Sequence, residues 1–373
     1  MSAPWPTLQF DEAVEDASGG NIKTKQNDYA EVGEFPIVDQ GKALIAGYTD
    51  DEAALCKVPL PVVIFGDHTR CLKFVDFPFG MGADGVKVLK PKAGLDAKFL
   101  YHYLRQIKLP DGGYDRHFKY LKRETVPLPP LEEQRRIAAI LDQAETLRTQ
   151  RRTALALLDS LTQSLFLDMF GDPMTNPKKL PLFRGDEICS RITVGIVVQP
   201  SSYYRSEGVP ALRSLNIRPN KVVMENLVYF SSEDNETKLA KTRVRQGDVL
   251  LVRTGQPGTA AVVPPELDGV NAIDILIATP DTSKVSADYL CYFFNSDAGK
   301  KLVLGAQRGQ VQKHLNVGAM NAALIPIPPL PLQQTFATRI ASIEALKATH
   351  RRALAALDAL FASLQQRAFP GAL

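Results

Sequence analysis

The end of this chain repeats a segment from its middle. Residues 127–170 and 326–369 align without gaps at a constant offset of 199 positions in a chain of 373 residues. Identical pairs include Pro127/Pro326, Gln134/Gln333, Glu145/Glu344, Asp159/Asp358 and Phe170/Phe369. A repeat period near half the chain length predicts a molecule built as two similar halves.

Both copies of the repeat have the pattern of a long amphipathic helix. Each begins after a Pro-Pro pair, which keeps the preceding residue extended, and apolar residues follow at steps of three and four. At 1.5 Å per residue, a helix of about 40 residues is about 60 Å long. The two apolar stripes are expected to pair within the chain, with Leu158 and Leu357 buried near the seam. The alternative is that each helix packs on its own domain or on another chain.

The regions between the helices differ in character. They are rich in Gly and Pro and contain short β-type runs such as 61–65 and 248–252, bounded by turn signals. The predicted order is a first domain (1–126), a first helix (127–171), a second domain (172–325) and a second helix (326–373). Each domain closes with a Gly-x-x-polar-basic-His pattern, at 112–117 and 309–314.

Several classes of function lack their motifs. No (Asp/Asn/Ser)-Pro-Pro-aromatic motif of an amino-methyltransferase, phosphate-binding loop or acidic nuclease pattern occurs. Gly80-Met81-Gly82 superficially resembles a cofactor loop, but a tight turn is the simpler interpretation. The four cysteines lie far apart, so neither a disulfide framework nor a zinc site is expected. Without an apolar run of about 20 residues or a signal peptide, a cytoplasmic protein is expected.

The chain resembles the specificity subunits of type I restriction–modification systems. The resemblance rests on the two helix entries, 127–137 and 326–336, together with 37–42, 46–50 and 63–70 in the first domain. In the second domain it rests on Gly247-Asp248-Val249-Leu250 and Arg253-Thr254-Gly255. One departure is Pro331-Leu332, which stands where the first helix entry has Glu132-Glu133.

This resemblance implies an α+β protein in which two mixed α/β target-recognition domains are separated by two long antiparallel helices. Each domain is expected to read half of a bipartite, asymmetric site in double-stranded DNA. The helices are expected to dock two methyltransferase subunits, and the larger assembly adds two ATP-driven translocating nuclease subunits. The chain itself is then non-catalytic and has no cofactor or metal; S-adenosylmethionine and ATP with Mg²⁺ belong to the partners.

Candidate DNA contacts are basic, amide or aromatic residues in Gly-rich loops, because such side chains bind phosphates and base edges. In the first domain they are Lys23, Lys25, His68, Arg70, Arg116 and His117. In the second they are Tyr203, Tyr204, Arg205, Arg213, Asn216, Arg253, Arg308, Gln310, Lys313 and His314. Two other interpretations stay open at this point, a coiled-coil adaptor that reads no DNA and part of a fused restriction–modification enzyme.

Overall fold

The chain divides into two units with the same order of elements. The structure, a computed structural model, describes residues 5–110, 115–305 and 315–373. One unit comprises Met1–Thr153 with Arg351–Leu373, and the other comprises Ala154–His350. Each unit therefore contains one domain and one half of each long helix. Among the described residues, no helix is both long and apolar enough to cross a bilayer.

The first domain and its helix contain ten strands and four α-helices among the described residues. The strands are β1 (Thr7–Gln9), β2 (Val14–Asp16), β3 (Lys23–Thr24), β4 (Phe35–Val38), β5 (Gly47–Thr49), β6 (Val62–Gly66), β7 (Leu72–Val75), β8 (Gly80–Gly82), β9 (Val86–Pro91) and β10 (Thr125–Pro127). The helices are α1 (Phe10–Ala13), α2 (Ala97–Gln106), α3 (Phe118–Leu121) and α4 (Leu131–Phe170).

The second domain and its helix continue the numbering. The strands are β11 (Leu182–Arg184), β12 (Cys189–Val194), β13 (Val209–Leu212), β14 (Ile217–Arg218), β15 (Lys221–Val222), β16 (Val228–Phe230), β17 (Val249–Val252), β18 (Ala260–Val262), β19 (Asn271–Ala272), β20 (Ile275–Pro280) and β21 (Leu324–Pro326). The helices are α5 (Gly185–Ile188), α6 (Ser232–Glu236), α7 (Ala287–Asn295), α8 (Asp297–Gly305), α9 (Val317–Ala322) and α10 (Leu330–Ala368).

The two main sheets of each unit correspond, except that β3 is a strand of the first unit only and β14–β15 is a separate pair of the second unit. An antiparallel sheet has the order β2-β9-β6-β7 in the first unit and β12-β20-β17-β18 in the second. A second sheet places β4 parallel to β8 and antiparallel to β5, just as β13 lies parallel to β19 and antiparallel to β16. The fold class expected from the sequence, α+β with an internal repeat and two long helices, is confirmed. The expected tight turn at Gly80–Gly82 is wrong, because these residues form the buried strand β8.

Gly82 of β8 is explained by close packing. A Cβ on Gly82 would stand 2.5 Å from the Tyr29 Oη and 2.6 Å from the Asp39 Cβ. A larger residue would therefore push both neighbouring segments away from the strand. At Gly80 a Cβ would meet its nearest neighbours at 3.5 Å, an ordinary contact, so close packing requires glycine only at Gly82.

Each long helix starts in the core of one unit and ends in the core of the other. In the first unit, Ile137 and Leu141 of α4 share the core with Phe361 of α10, and Phe369 lies 5.5 Å from the Phe99 ring of α2. In the second unit, Phe336 of α10 shares the core with Phe170 of α4. Within each unit the two helices consequently run antiparallel.

A buried glutamine joins the start of each long helix to its domain. Gln134 is fully buried, donates to the carbonyls of Gly94 and Pro129, both at 2.8 Å, and accepts from the Asp96 amide at 2.7 Å. Its repeat partner Gln333 makes the same three bonds in the second unit, to the carbonyls of Lys284 and Pro328 and from the Ser286 amide. Asp96 and Ser286 cap α2 and α7. The glutamine therefore fixes the neighbouring helix as well as its own.

The repeat also builds the same ion cluster once in each unit. In the first unit, Arg148 bonds Glu145 of its own helix and Asp358 of the facing helix, both at 2.6 Å. In the second, Lys347 bonds Glu344 and Asp159, both at 2.8 Å. The basic residue and the two acidic residues occupy the same three repeat positions in both clusters. In the first cluster the basic residue is on α4, and in the second it is on α10.

Burial of Lys347 would lower its pKa, but its hydrogen bonds to the two carboxylates outweigh burial and raise the pKa.

The expected burial of Leu158 and Leu357 is wrong, since both are only half-buried. Each precedes the aspartate of an ion cluster, Asp159 or Asp358, so the helices meet at this level through polar side chains.

Candidate DNA interface

Five loops of the first unit are hydrogen-bonded into one group, which we call the first loop cluster: 24–25, 39–46, 66–70, 82–85 and 115–117. The Ala83 amide donates to the Thr24 carbonyl at 2.7 Å, and the Asp67 amide donates to the Gly85 carbonyl at 2.6 Å. The Thr69 hydroxyl bonds the Gln40 carbonyl at 2.5 Å. Three of these loops, 24–25, 39–46 and 82–85, follow the parallel strands β3, β4 and β8, whose carboxyl ends share one edge of the sheet. The loop 66–70 turns the β6–β7 hairpin, and 115–117 precedes α3. The edge brings together sequence positions that lie far apart.

The first loop cluster contains most of the first domain's candidates. Lys25, Arg70 and Arg116 are exposed and His68 is half-buried. Lys23, also exposed, lies within β3 itself. Arg70 has φ of 61°, a left-handed conformation that a tight hairpin turn imposes on it.

His117 differs from these, because it is 1% exposed and its ring nitrogen Nδ1 lies 3.1 Å from the Asp67 carbonyl. Asp67 also accepts from the Phe118 amide. A direct DNA contact by His117 does not fit this burial, and the residue instead ties the 115–117 loop to the β6–β7 hairpin.

An ion pair next to Arg116 stiffens its loop. The hydrogen bond from the Lys119 ammonium, with a second from the Tyr120 hydroxyl, lowers the pKa of Asp115 to about 2. Asp115 thus stays ionised at any physiological pH.

Lys73 is a buried cation next to these loops. It is 5% exposed and donates to the Asp39 carbonyl at 2.7 Å. Burial lowers the pKa of Lys73, although the Asp39 carboxylate opposes this shift.

The equivalent loops of the second unit form a second loop cluster: 196–205, 213–227, 253–258, 273–274 and residue 315. The Asp274 amide donates to the Ile196 carbonyl at 3.0 Å, and the Ile273 amide to the Leu212 carbonyl at 2.8 Å. The hairpin β17–β18 corresponds to β6–β7. The two hairpins that carry the resemblance therefore occupy the same place in the two units.

Arg253 is the first residue of the turn in this second hairpin, but its side chain is only 12% exposed. It bonds Asp274 at 2.5 Å and donates to the Leu315 carbonyl at 3.1 Å. Its charge is therefore engaged in holding the loops together, in the way that Asp67 does in the first unit. A role for Arg253 as a direct base contact does not fit this geometry.

The other second-domain candidates fall into four groups, of which the last is Arg213 with Asn216. Arg205 is exposed and pairs with Asp234 at 3.3 Å, while Lys238 and Ser231 hold the pKa of Asp234 below its usual value. Tyr203 and Tyr204 are half-buried, with ring centroids 6.2 Å from that of Phe230. Four candidates, Arg308, Gln310, Lys313 and His314, lie outside the described residues.

Arg213 and Asn216 belong to a hairpin that sequence reasoning missed. Asn216 is fully buried; its Oδ1 accepts from the Arg213 amide, and its Nδ2 donates to the carbonyls of Val223 and Glu225. Asn216 is thus a structural residue rather than the base contact that was expected. The signal in the sequence was Arg218-Pro219-Asn220-Lys221, a turn flanked by basic residues, with Asn220 at φ of 59°.

Neither loop cluster has the composition of a metal centre. Among the described residues, no three His, Cys, Asp or Glu side chains are grouped so that they could hold a metal ion. What the edges offer instead is exposed basic side chains on loops with firm internal hydrogen bonds. Such an arrangement suits a polyanion.

Comparison with known proteins agrees with this geometry. Residues 6–156 match the model of the type I restriction modification DNA specificity domain. The MjaVIII specificity subunit of Methanocaldococcus jannaschii is 24% identical over 252 residues, which is 61% of this chain and 57% of the relative. The EcoBI specificity subunit of Escherichia coli is 22% identical, covering 74% of this chain and 65% of the relative. Residues 6–156 are therefore similar to the type I DNA specificity domain, and the chain is similar to type I specificity subunits over a longer stretch.

The fold extends this likeness over the whole chain. The S subunit of a type I system from M. genitalium superposes with a TM-score of 0.62 at 14% identity, over 98% of this chain and 96% of that one. A chain from a study of assembly and conformational transition in the type I system gives a TM-score of 0.57 at 19% identity, over 100% and 99%. This chain spans little more than half the length of two of the curated relatives it matches, 57% and 54%.

Proposed function

We propose that this chain is the non-catalytic DNA-recognition and scaffold subunit of a type I restriction–modification complex. Each loop cluster reads one half of a bipartite site in double-stranded DNA. The observation that carries the proposal is the repetition of one loop-bearing domain on two frameworks whose antiparallel four-stranded sheets have the same strand order. Because the loops differ in length and sequence, the two half-sites differ as well.

The long helices supply the docking surface for the partners. Leu147 and Leu346 occupy one repeat position and are 39% and 47% exposed. Leu161 and Leu360 occupy another and are both 49% exposed. Exposed leucines on a helix usually mark a protein contact when they recur in a pattern. Each unit carries one leucine of each pair, so two copies of one methyltransferase subunit can dock in the same way.

The chemistry belongs to those partners. The methyltransferase subunits bring S-adenosylmethionine, and two translocating nuclease subunits, where present, bring ATP and Mg²⁺. A subunit of this kind acts on DNA in the cytoplasm.

The decisive experiment is co-expression with methyltransferase subunits from the same genome, followed by mapping of methylated positions. We expect no methyl transfer by the isolated chain and methylation at one asymmetric bipartite site in the complex. Replacing 1–126 by the domain of a relative should change one half-site only. Methyl transfer by the chain alone, or a simultaneous change in both half-sites, would contradict the proposal.

A further inference from the structure

The hairpin 213–226 of the second unit is longer than its two short strands indicate. Ile217 pairs with Val222 and Arg218 with Lys221. One further backbone bond extends this pairing, from the Val223 amide to the Asn216 carbonyl at 2.8 Å, and the Arg213 guanidinium bonds the Asn226 carbonyl. Leu215 lies in a single 3-10 turn, Ser214–Asn216, and Met224 lies on the returning segment between the Val223 and Glu225 carbonyls, which accept from the Asn216 side chain. We call this hairpin, 213–226, the ribbon.

One face of the ribbon is anchored to the domain. Ile217 is 2% exposed and lies in a core with Leu250, Val252 and Ala261 of the β17–β18 hairpin. At the turn, Asn220 donates its amide to the Ala260 carbonyl at 2.9 Å and accepts from Asn295 at 2.7 Å. With Asn216 buried at the other end, the ribbon is fixed along its length.

What the ribbon exposes is an apolar pair and a basic pair. Leu215 is 38% exposed and Met224 48% exposed, although the backbone on either side of them is firmly bonded. Arg218 and Lys221 at the turn are exposed, with no acidic partner among the residues described. Glu225, beside Met224, is exposed too; it would repel a phosphate but can accept from the amino group of cytosine.

This combination fits the major groove of DNA. The groove admits a two-stranded β-ribbon, and thymine presents there a methyl group that apolar side chains contact. Basic residues at the turn can reach phosphates or guanine. We propose that the ribbon 213–226 is the reading element of the second domain, and that Leu215 and Met224 contact thymine methyl groups of its half-site. The inference rests on the proposed function, and the result that would overturn the proposed function differs from the results that would overturn the inference alone.

The first unit also exposes two apolar residues at the corresponding place, although its sequence there is different. Its connection between β4 and β5 exposes Leu44 at 46% and Ile45 at 37%. This connection is the topological counterpart of 213–227, which joins β13 to β16. Exposed apolar residues are ordinary when they are scattered singly. Their recurrence at one place in both units indicates a shared use.

The test uses the complex of this chain with its methyltransferase partner and the duplex site identified by methylation mapping. Each thymine is replaced in turn by deoxyuridine, which removes only the methyl group. For the unaltered complex we expect about fourfold weaker binding at one or more positions of one half-site, the factor for one apolar methyl lost from a contact. Leu215→Ser with Met224→Ser should bind weakly and become insensitive to uracil at those positions.

Leu182→Ser is the matched control, because Leu182 is 52% exposed on β11 of the same unit. It should keep the uracil sensitivity. Undiminished sensitivity in the double variant, no uracil effect in the unaltered complex, or a half-site without an A·T pair would each overturn the inference while leaving the proposed function standing. Loss of methyltransferase docking with DNA preference intact would show the ribbon to be a protein contact. A complex that binds no specific site at all would instead overturn the proposed function.

Discussion

Replacing Gln134 by leucine tests how the long helix is joined to its domain. The side chain is fully buried and makes three hydrogen bonds, all to backbone groups. Leucine has a similar volume, so little cavity forms, but the Asp96 amide and the carbonyls of Gly94 and Pro129 lose their partner. A buried polar group left unpaired costs about 1–3 kcal/mol. Three such groups predict a loss of at least about 3 kcal/mol in the free energy of unfolding.

Hydrogen exchange gives the sharpest measurement, because two units need not unfold in one step. In Gln134→Leu the Asp96 amide should lose its protection, whereas the Ser286 amide in the second unit should keep it. Gln333→Leu should give the reverse. The control is Gln143→Leu, since Gln143 is exposed on the same helix. If Gln134→Leu matched this control in both stability and protection of Asp96, the buried amide would not be the joint that the structure indicates.

Three further outcomes are expected. Lys347→Met should change the free energy of unfolding by less than about 1 kcal/mol, because the two carboxylates that lose their partner are 68% and 42% exposed. Asp159→Asn combined with Glu344→Gln leaves the buried ammonium without a carboxylate partner and should lower the free energy of unfolding by about 3 kcal/mol. Urea unfolding compares the two, and equal losses would contradict the argument. Burial lowers the pKa of His102 despite its bond to Asp142, so stability is full above the unfolded pKa near 6.5 and falls as pH drops below it. Thermal unfolding between pH 7 and 5 should show this fall, and His102→Gln should flatten it. Leu161→Glu should abolish co-purification with methyltransferase subunits while Leu182→Glu does not, and retained docking would place the partner elsewhere.

The long helices could be predicted because their pattern is local and repeated. Periodicity fixed the apolar stripe, and the prolines before 131 and 330 mark the points where the helices begin. The burial of Leu158 and Leu357 could not be predicted in the same way. A stripe says which side faces the partner helix, but the ion clusters next to these leucines form only once a particular register is adopted.

The exposure of the candidate DNA contacts was harder to predict for a related reason. Residue type and a Gly-rich neighbourhood do not distinguish an exposed side chain from one that is buried and hydrogen-bonded to other loops of the same cluster. Arg70 and Arg253 have the same chemistry and lie on corresponding hairpins, yet only Arg70 is exposed. Conversely, Leu215 and Met224 attract no attention in the sequence, because their exposure on an anchored hairpin depends on the hydrogen bonds of the buried Asn216.

The identities within the repeat acquire a physical meaning from these contacts. Gln134 and Gln333 join helix to domain, and Glu145/Glu344 with Asp159/Asp358 build the ion cluster of each unit. Phe170 and Phe369 end each helix against the corresponding aromatic residue of α7 and α2. All of these positions face the framework, whereas the loop clusters carry different residues in the two units. The proposed function, in which one framework holds two readers of different DNA sequences, accounts for this division between what repeats and what varies.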